Sequence, residues 1–388
     1  MRQEAERFGM RGNMTVKEKR LDDIDMVKGI GIILVVIGHS TYVSENVLTW
    51  LASFHMPLFF VASGILFAHK RSYEEPFASY VKKRFCGMMI PYFWFSLIYI
   101  GVDYYYLYAH PEVIDLQFIH SAILQAVSLY GISVLWFLPA IFFGELCFYG
   151  LMRKARPVWL LAAACLFAAW LPVMGVKLIQ TYLNMENDLF FTWLGNFLMA
   201  VLRIGPAVVF LLTGYAFYFA LKKIRLKAVW EILIGAGCLL LNAAASFTNG
   251  RVDLHFLVFN NVFYFYLGAL SAAFGLFLIC RNLRPLWLLC FLGSNSLIVM
   301  LTHLDCQVMS LAIRFAAGMN QFIPRAKDLM FRVNLYGALL VGELCMIVLV
   351  GKIGFFLIGR KRPMPLTAPA CWRKAVRKWK GRKMRRIK

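Results

Sequence analysis

Ten apolar segments, each long enough to cross a lipid bilayer, constrain the fold of this chain more than any other feature of its sequence. A membrane-spanning helix needs about 20 mostly apolar residues. Of the 388 residues here, 61% are hydrophobic and only 16% are charged. The sequence therefore predicts an all-α polytopic membrane protein with about ten transmembrane helices. The segments lie at about 26–44, 47–68, 87–107, 133–152, 157–174, 205–221, 228–247, 256–279, 286–306 and 335–358.

The charge of the connections predicts how these helices are oriented. Lys and Arg gather after the second, fourth, sixth and eighth segments, whereas the connections after the first, third, fifth and seventh are nearly neutral. Cytoplasmic loops carry an excess of Lys and Arg, so we expect both termini in the cytoplasm of a cell whose plasma or inner membrane holds the protein. The connection 307–334 fits poorly, because it is basic although it should lie outside.

Much of the net charge of +22 lies at the C-terminal end. Residues 359–388 contain thirteen Lys and Arg and no Asp or Glu. Next to a hydrophobic segment, such a tail is a topology signal and a contact for anionic lipid headgroups, which argues against nucleic acid as a partner. We therefore divide the chain into a cytoplasmic segment 1–25, a transmembrane domain 26–358 and a basic cytoplasmic tail 359–388.

The first apolar segment carries two ionisable residues on one helix face. Lys28 and His39 are eleven residues apart, which is three turns plus roughly 20°, or about 16 Å along the axis. Ionisable groups at membrane depth usually mark a functional interior. A Lys that snorkels to the interface and a His that bonds a neighbouring helix explain the same spacing, so the spacing alone leaves both interpretations open.

Two further histidines are expected at the same outer depth. His55 precedes Pro57 in the second segment, and His303 lies near the end of the ninth. Histidine transfers protons near neutral pH, as is needed to make a sugar hydroxyl nucleophilic. A metal site is the rival interpretation, but the histidines lack acidic residues on the same faces, and we predict no metal. A hydrogen bond between helices explains His55 or His303 individually.

A cluster of cations is expected at the cytoplasmic ends. Lys28, Lys82, Lys83 and Arg84 lie where a polyanionic ligand can dock, since Lys and Arg bind phosphate oxygens strongly. The excess of positive charge common to cytoplasmic loops also explains them. Glu145, inside the fourth segment, needs a partner at that depth, and Lys28 and Arg84 are the candidates. The nine cysteines show no metal-ligand spacing, so we expect them to be free and buried.

Several motifs together resemble those of the membrane acyltransferase-3 family, whose members commonly move acetyl or other acyl groups onto cell-envelope polysaccharides. They cover almost the whole chain in order. They are Asp25-x-x-Lys28-x10-His39, Phe54-His55-Met56-Pro57-Leu58-Phe59-Phe60-x-x-Ser63-Gly64, Lys82-Lys83-Arg84-Phe85, Leu135-Trp136-Phe137-Leu138-Pro139, and Gly293-Ser294-Asn295-Ser296-Leu297 followed by His303.

The resemblance implies a membrane O-acyltransferase. Its donor would be cytoplasmic acetyl-CoA or another acyl-CoA, and its acceptor a hydroxyl of an extracytoplasmic envelope sugar or polysaccharide. The implied site residues fall into three groups. They are His39, Lys28 and Glu145 for catalysis, Lys82, Lys83 and Arg84 for the donor, and His55, Ser63, Trp136 and His303 for the substrate.

One motif departs from the family pattern. A second cation usually follows about four residues after the first, but Cys86, Gly87 and Met88 follow Arg84. Either Lys82 or Lys83 replaces that cation, or the donor binds differently. For the chemistry, we prefer His39 as a general base that takes the proton of the acceptor hydroxyl, with a covalent acyl-histidine as the alternative.

Two other classes of function fit the same residues. A transporter or flippase for a lipid-linked sugar or small anion would line its pathway with them. A sensor or scaffold would use the basic tail at the membrane surface. Consumption of acyl-CoA distinguishes the enzyme from both, whereas a transporter would show flux without acyl-CoA.

Overall fold

The computed structural model describes residues 22–40, 42–154, 158–182, 188–224, 226–320 and 327–364. These residues form helices joined by short connections, with one isolated β-bridge between Asp253 and Val258. The prediction of an all-α protein is therefore confirmed for the described part of the chain. Most of segment 1–25 and of the basic tail, with its expected lipid contact, lies outside the described residues.

Sixteen α-helices follow one another in the described residues. They are α1 (Asp22–Gly38), α2 (Glu45–Ala52), α3 (His55–His69), α4 (Phe77–Arg84), α5 (Ile90–Ala109), α6 (Leu116–Val127), α7 (Phe137–Lys154), α8 (Val158–Tyr182), α9 (Leu189–Leu202), α10 (Ile204–Lys223), α11 (Ala228–Asn249), α12 (Val262–Asn282), α13 (Trp287–Ser294), α14 (Ser296–Thr302), α15 (Val308–Asn320) and α16 (Lys327–Lys352). A π-helix (Phe85–Met89) joins α4 to α5, and 3-10 helices cover Ser72–Glu74 and Ser133–Trp136.

Seven helical stretches in the described residues are long and apolar enough to cross a membrane. They are Glu45–His69, Phe77–Ala109, Ser133–Arg153, Leu189–Lys223, Ala228–Asn249, Val262–Asn282 and Asp328–Lys352. The chain thus has the helices of a multi-pass membrane protein. The count of about ten and the orientation of the termini stay predictions.

Several predicted segments consist of more than one helix. The second segment contains α2 and α3, which meet at Ser53–Phe54, and the ninth contains α13 and α14, which meet at Asn295. The poorly fitting connection 307–334 holds a helix of its own, α15. Such breaks free backbone groups for other partners, as is tolerated at membrane depth where the backbone faces protein or a cavity.

Glycines bring the central helices into backbone contact. A Cβ atom at Gly64 of α3 would lie 2.1 Å from the carbonyl oxygen of Leu211 in α10, and one at Gly214 of α10 would lie 2.1 Å from that of Val61 in α3. In the same way, a Cβ atom at Gly293 of α13 would lie 1.8 Å from the carbonyl oxygen of Asp25 in α1. Small residues allow this close approach between membrane helices.

The helices separate two sides of the bundle. The side where α3, α7 and α10 begin contains His39, His55 and His303, and we call it the histidine side. The same three helices end near Lys70, Arg153 and Lys223, and we call that opposite end the basic side.

The cysteine prediction was partly wrong. The seven described cysteines are free, as expected, and Cys280 and Cys290 are buried. Cys147 and Cys345, however, are exposed. The outer surface of a membrane bundle faces lipid, and a cysteine behaves as a small apolar residue that is tolerated there. Both faces of such a helix are therefore apolar, and the sequence does not reveal which face is buried.

Candidate functional site

An open cavity of about 340 Å³ lies on the histidine side of the bundle. Its walls come from the ends of α1, α2, α3 and α14, from the 3-10 helix Ser133–Trp136 and from the connection between α11 and α12. Charged and aromatic side chains share the walls with aliphatic ones. The lining residues that matter below are His39, His55, Ser133, Trp136, Arg251, Asp253, His255, Met300 and Leu304.

Two of the predicted histidines, His39 and His55, line this cavity, and the third, His303, lies behind its wall. All three make the same kind of hydrogen bond. His39 donates from Nδ1 to the carbonyl oxygen of Val35, at 2.9 Å. His55 does the same to Leu51 at 2.6 Å, and His303 to Val299 at 3.0 Å. In each case the acceptor is the carbonyl four residues earlier. Because a carbonyl only accepts, Nδ1 carries the proton, and Nε2 of each neutral ring is left as the acceptor.

His303 and His39 form a directly bonded pair. His303 is completely buried, and its Nε2 lies 3.3 Å from Nδ1 of His39. The N–H of His39 is thus shared between His303 and Val35, which fixes the ring and its tautomer. The unprotonated Nε2 of His39, a residue that lines the cavity, remains available as a base. His303 therefore contacts His39, which leaves it behind the cavity wall.

Another part of the cavity wall comes from two connections. The first connection is residues 128–136, between α6 and α7, and the second is residues 250–261, between α11 and α12. The ring of Trp136 stacks on that of His255, with centroids 5.5 Å apart and planes 8° from parallel. Asp253 accepts hydrogen bonds from the backbone N–H groups of His255, at 2.8 Å, and Phe256, at 3.1 Å. Burial, with a smaller contribution from Arg203, lowers the pKa of His255 to about 3. His255 is therefore neutral at physiological pH and presents a flat, uncharged ring to its neighbour.

Gly131, in the first connection, occupies a position that requires glycine because the backbone passes close to Trp136 there. Gly131 has a φ of 87°, a conformation that L side chains rarely adopt. A Cβ atom there would lie 2.3 Å from the backbone nitrogen of Trp136. The sequence Gly131-Ile132-Ser133 thus allows the chain to turn tightly and place Trp136 in the cavity.

The predicted acid Glu145 lies in a different cluster, toward the basic side. It is completely buried in α7, and Arg84 Nε lies 2.7 Å from its Oε2 atom. The hydroxyl of Tyr80 donates to the same oxygen at 3.2 Å. Arg84 was one of the two partners expected for Glu145, so that prediction is confirmed, while the proposed part of Glu145 in catalysis stays a prediction.

A second cavity, of about 270 Å³, opens near this cluster. Lys83 and Arg360 supply positive charge to its lining, and Ser294 and Asn295 supply polar groups at the break between α13 and α14. Lys83 also lies 3.3 Å from Glu75. Ile298 of α14 lines the basic-side cavity and Met300 of α14 lines the histidine-side cavity. The two residues are about 3 Å apart along the helix axis but about 200° apart around it, so the cavities adjoin opposite faces of α14.

The other predicted residues lie outside these two cavities. Lys28 precedes Gly29 in the first half of α1, eleven residues before His39. Ser63 precedes Gly64 in the interior of α3, where that glycine packs against α10. Lys82 is exposed on α4. Their predicted roles are therefore not explained by a direct contact with either cavity.

Sequence reasoning missed part of the histidine-side wall. Asp253 and His255 stand in the short connection between the seventh and eighth segments, which carried no recognised motif. A signal was present, since an Asp and a His two residues apart interrupt two long apolar runs. The contacts of Arg203 with these connections were not predicted either.

Comparison with known proteins found one matching family. The sequence model of a family described as an acyltransferase domain matches residues 21–350, from the start of α1 to near the end of α16. A search among curated proteins and a search among solved structures each returned no match.

Proposed function

Because the chain belongs to the membrane acyltransferase-3 family, and is thus a membrane acyltransferase, we propose that it transfers an acetyl or similar acyl group from acyl-CoA to a hydroxyl of an envelope sugar. The observation that carries this proposal is the bonded pair of His39 and His303 at an open cavity. It gives His39 a fixed ring and an unprotonated Nε2 where an acceptor hydroxyl can bind.

We propose that the basic side of the bundle faces the cytoplasm. It carries the cations of the connections after α3, α7 and α10, and the excess of Lys and Arg common in cytoplasmic loops supports this orientation. The histidine side then faces away from the cytoplasm. This arrangement, with about ten spans and both termini inside, supports a donor that enters from the cytoplasm and an acceptor that binds outside, in the plasma or inner membrane.

The basic-side cavity is where we place the acyl-CoA. Lys83 and Arg360 supply the charge that phosphate groups require. Of the three cations predicted for the donor, Lys83 lines this cavity and Lys82 is exposed nearby, whereas Arg84 is held by Glu145. Arg360 therefore provides the second cation that the sequence lacks after Arg84.

The acyl group must reach His39 from that cavity. Ile298 and Met300 lie on opposite faces of α14, one in the lining of each cavity. A flexible thioester arm that passes beside α14 would bring its acyl end to the histidine-side cavity. Because one helix adjoins both cavities, we propose direct transfer across the bundle without a second protein.

In the transfer step, His39 Nε2 takes the proton of the acceptor hydroxyl as its oxygen attacks the thioester carbonyl carbon. The new ester C–O bond forms, the C–S bond breaks, and the sulfur leaves as coenzyme A thiolate, which receives a proton in return. His303 and the carbonyl of Val35 both accept from His39 Nδ1, so they stabilise the imidazolium that forms. Attack by Nε2 itself, giving an acyl-histidine, is the alternative first step.

The proposal is tested by transfer of radiolabelled acetyl from acetyl-CoA into envelope glycan. Membranes containing the wild-type protein should label the glycan, and His39→Gln should abolish labelling at matched expression. His110→Gln is the control, because His110 is an exposed histidine outside the cavity. Full labelling by His39→Gln would exclude both mechanisms, and labelling by neither protein would favour a different acyl donor or the transporter alternative.

A further inference from the structure

One buried arginine bridges the first and second connections, which form part of the wall of the histidine-side cavity. Arg203, at the junction of α9 and α10, is only 2% exposed. Its Nε donates to the carbonyl oxygen of His255 at 2.7 Å, and its Nη1 donates to that of Tyr130 at 2.6 Å. Each bond ends on a different connection. A planar guanidinium with several donors suits this bridge, whereas a lysine ammonium has a single nitrogen to share.

Both connections hold residues in an unfavourable backbone conformation. The first, between α6 and α7, has Leu129 at a φ of 61° and Ser133 at 49°. The second, between α11 and α12, has Leu257 at 56° and Asn260 at 54°. Such residues cost on the order of 1–3 kcal/mol each and persist only where the surroundings hold them. The carbonyls bound by Arg203 lie within two residues of Leu129 and Leu257.

Backbone carbonyl groups and the faces of two aromatic rings stabilise the charge of Arg203. Its guanidinium carbon lies 4.2 Å from the ring centroid of Tyr130 and 5.6 Å from that of Trp136. The carboxylate of Asp253, in the second connection, attracts this charge, but no described carboxylate lies within ion-pair distance of it, and its Nη2 is buried there without a hydrogen-bond partner. Burying a cation without a counterion in contact is costly. A residue kept only for stability would be better replaced by an apolar one, so the cost points to a requirement for geometry.

We propose that Arg203 is a positioning residue that clamps the two connections together, and thereby holds the Trp136–His255 stack as the acceptor-side wall of the cavity. That this wall binds an acceptor rests on the proposed function. Without the clamp, the strained connections relax and the wall moves. Binding of the acceptor weakens, while the donor cavity, on the opposite side of the bundle, is unaffected.

The clamp itself is tested by a distance measurement that needs no activity. Spin labels are attached to Val127→Cys at the end of α6 and to Phe256→Cys in the second connection, in full-length protein whose native cysteines are replaced. Both positions are more than half exposed, at 61% and 51%. We expect a narrow distance distribution with Arg203 and a broad or displaced one with Arg203→Met. Arg314→Met, at an exposed arginine of α15, should leave it narrow.

Kinetics test the consequence for the site. Arg203→Met should raise KM for the glycan acceptor about tenfold and leave KM for acetyl-CoA unchanged. Arg203→Lys keeps the charge but cannot donate to both carbonyls in the same geometry, so it should give an intermediate increase. It also serves as the second variant if Arg203→Met fails to fold.

The outcomes separate this proposal from the proposed function. An unchanged distance distribution in both Arg203 variants would overturn the clamp, whatever the activity. Equal increases in KM for both substrates would overturn the selective role at the acceptor wall. If the wild type transfers no label at all, the proposed function fails, and the distance measurement still decides whether Arg203 holds the two connections.

Discussion

The bundle contains two buried polar clusters, and they compensate the cost of burying polar groups in opposite ways. On the histidine side, His39, His55 and His303 are neutral rings whose Nδ1 protons go to backbone carbonyls. Toward the basic side, Arg84 and Glu145 are charged groups that neutralise each other, with Tyr80 as a further donor. A buried polar group is costly unless it is paired, and both arrangements meet that requirement.

The two clusters differ in which hydrogen-bonding atoms remain free to react. The Nε2 lone pair of His303 accepts from His39, whereas His39 and His55, which both line the open cavity, keep theirs. In the charged cluster, Oε2 of Glu145 receives both Arg84 and Tyr80, and Oε1 is buried without a hydrogen-bond partner among the described residues. A neutral hydrogen-bonded ring can accept a proton and release it again, whereas a closed ion pair resists any change of charge. The comparison therefore favours the histidines for chemistry and the ion pair for holding α4 against α7.

The largest effect is expected when the ion pair is broken. Glu145→Gln removes the charge that balances Arg84, and loss of one partner of a buried pair typically costs about 3–5 kcal/mol. We expect a marked fall in thermal stability of the purified protein in detergent and a lower yield of folded protein. Glu112→Gln, an exposed carboxylate whose side chain is 68% exposed, is the control.

The double variant Arg84→Gln with Glu145→Gln sharpens this result. Removing both charges should recover part of the stability, because no unpaired charge is left inside. If Glu145→Gln were as stable as the wild type and yet inactive in transfer, the ion pair would not be structural, and the catalytic role predicted for Glu145 would gain support.

The sequence was sufficient to predict the helical membrane architecture and the family. Long apolar runs report on the environment directly, and the spacing of Lys28, His39 and His55 carries the resemblance. The meeting of His39, His55 and His303 also followed from placing each near the outer end of its segment. The position of a residue within its apolar segment predicts its depth in the membrane, and these three residues share that predicted depth.

The partners of the side chains were harder to predict. The sequence does not reveal that His303 binds His39 from behind the cavity, since that depends on how α14 follows the break at Asn295. Nor does it reveal that Arg203 reaches two carbonyls, because both connections turn through left-handed residues that no hydrophobic pattern records. Asp253 and His255 were missed for the same reason. Loop conformation, unlike helix position, is decided by contacts distant in sequence.

An intermediate effect is expected when the histidine pair is broken. His303→Phe keeps a ring of similar shape but removes the nitrogen that accepts from His39 Nδ1. The carbonyl of Val35 still holds that proton, so the tautomer survives and the imidazolium loses one of its two acceptors. We expect kcat for acyl transfer to fall about 100-fold, which is about 2.7 kcal/mol in the barrier.

His120→Phe, at an exposed histidine of α6, is the matched control and should leave kcat unchanged. The measurement is label transfer at saturating acetyl-CoA with protein shown to be folded by size-exclusion chromatography. An unaffected kcat in His303→Phe would mean that Val35 alone positions His39, and the histidine pair would lose its place in the mechanism.

The smallest effect is expected from Tyr80→Phe, which separates the hydrogen bond in the charged cluster from the ion pair. The hydroxyl of Tyr80 donates to Glu145 at 3.2 Å, while its ring stacks on Tyr149 with centroids 4.8 Å apart. Phenylalanine keeps the stacking and leaves Arg84 in place. Loss of one buried hydrogen bond costs about 1 kcal/mol, visible as a small decrease in melting temperature, and Tyr108→Phe at an 87% exposed position should show none. A loss as large as that of Glu145→Gln would mean that the hydroxyl is as important as the opposite charge, and the contrast between a neutral and an ionic cluster would no longer hold.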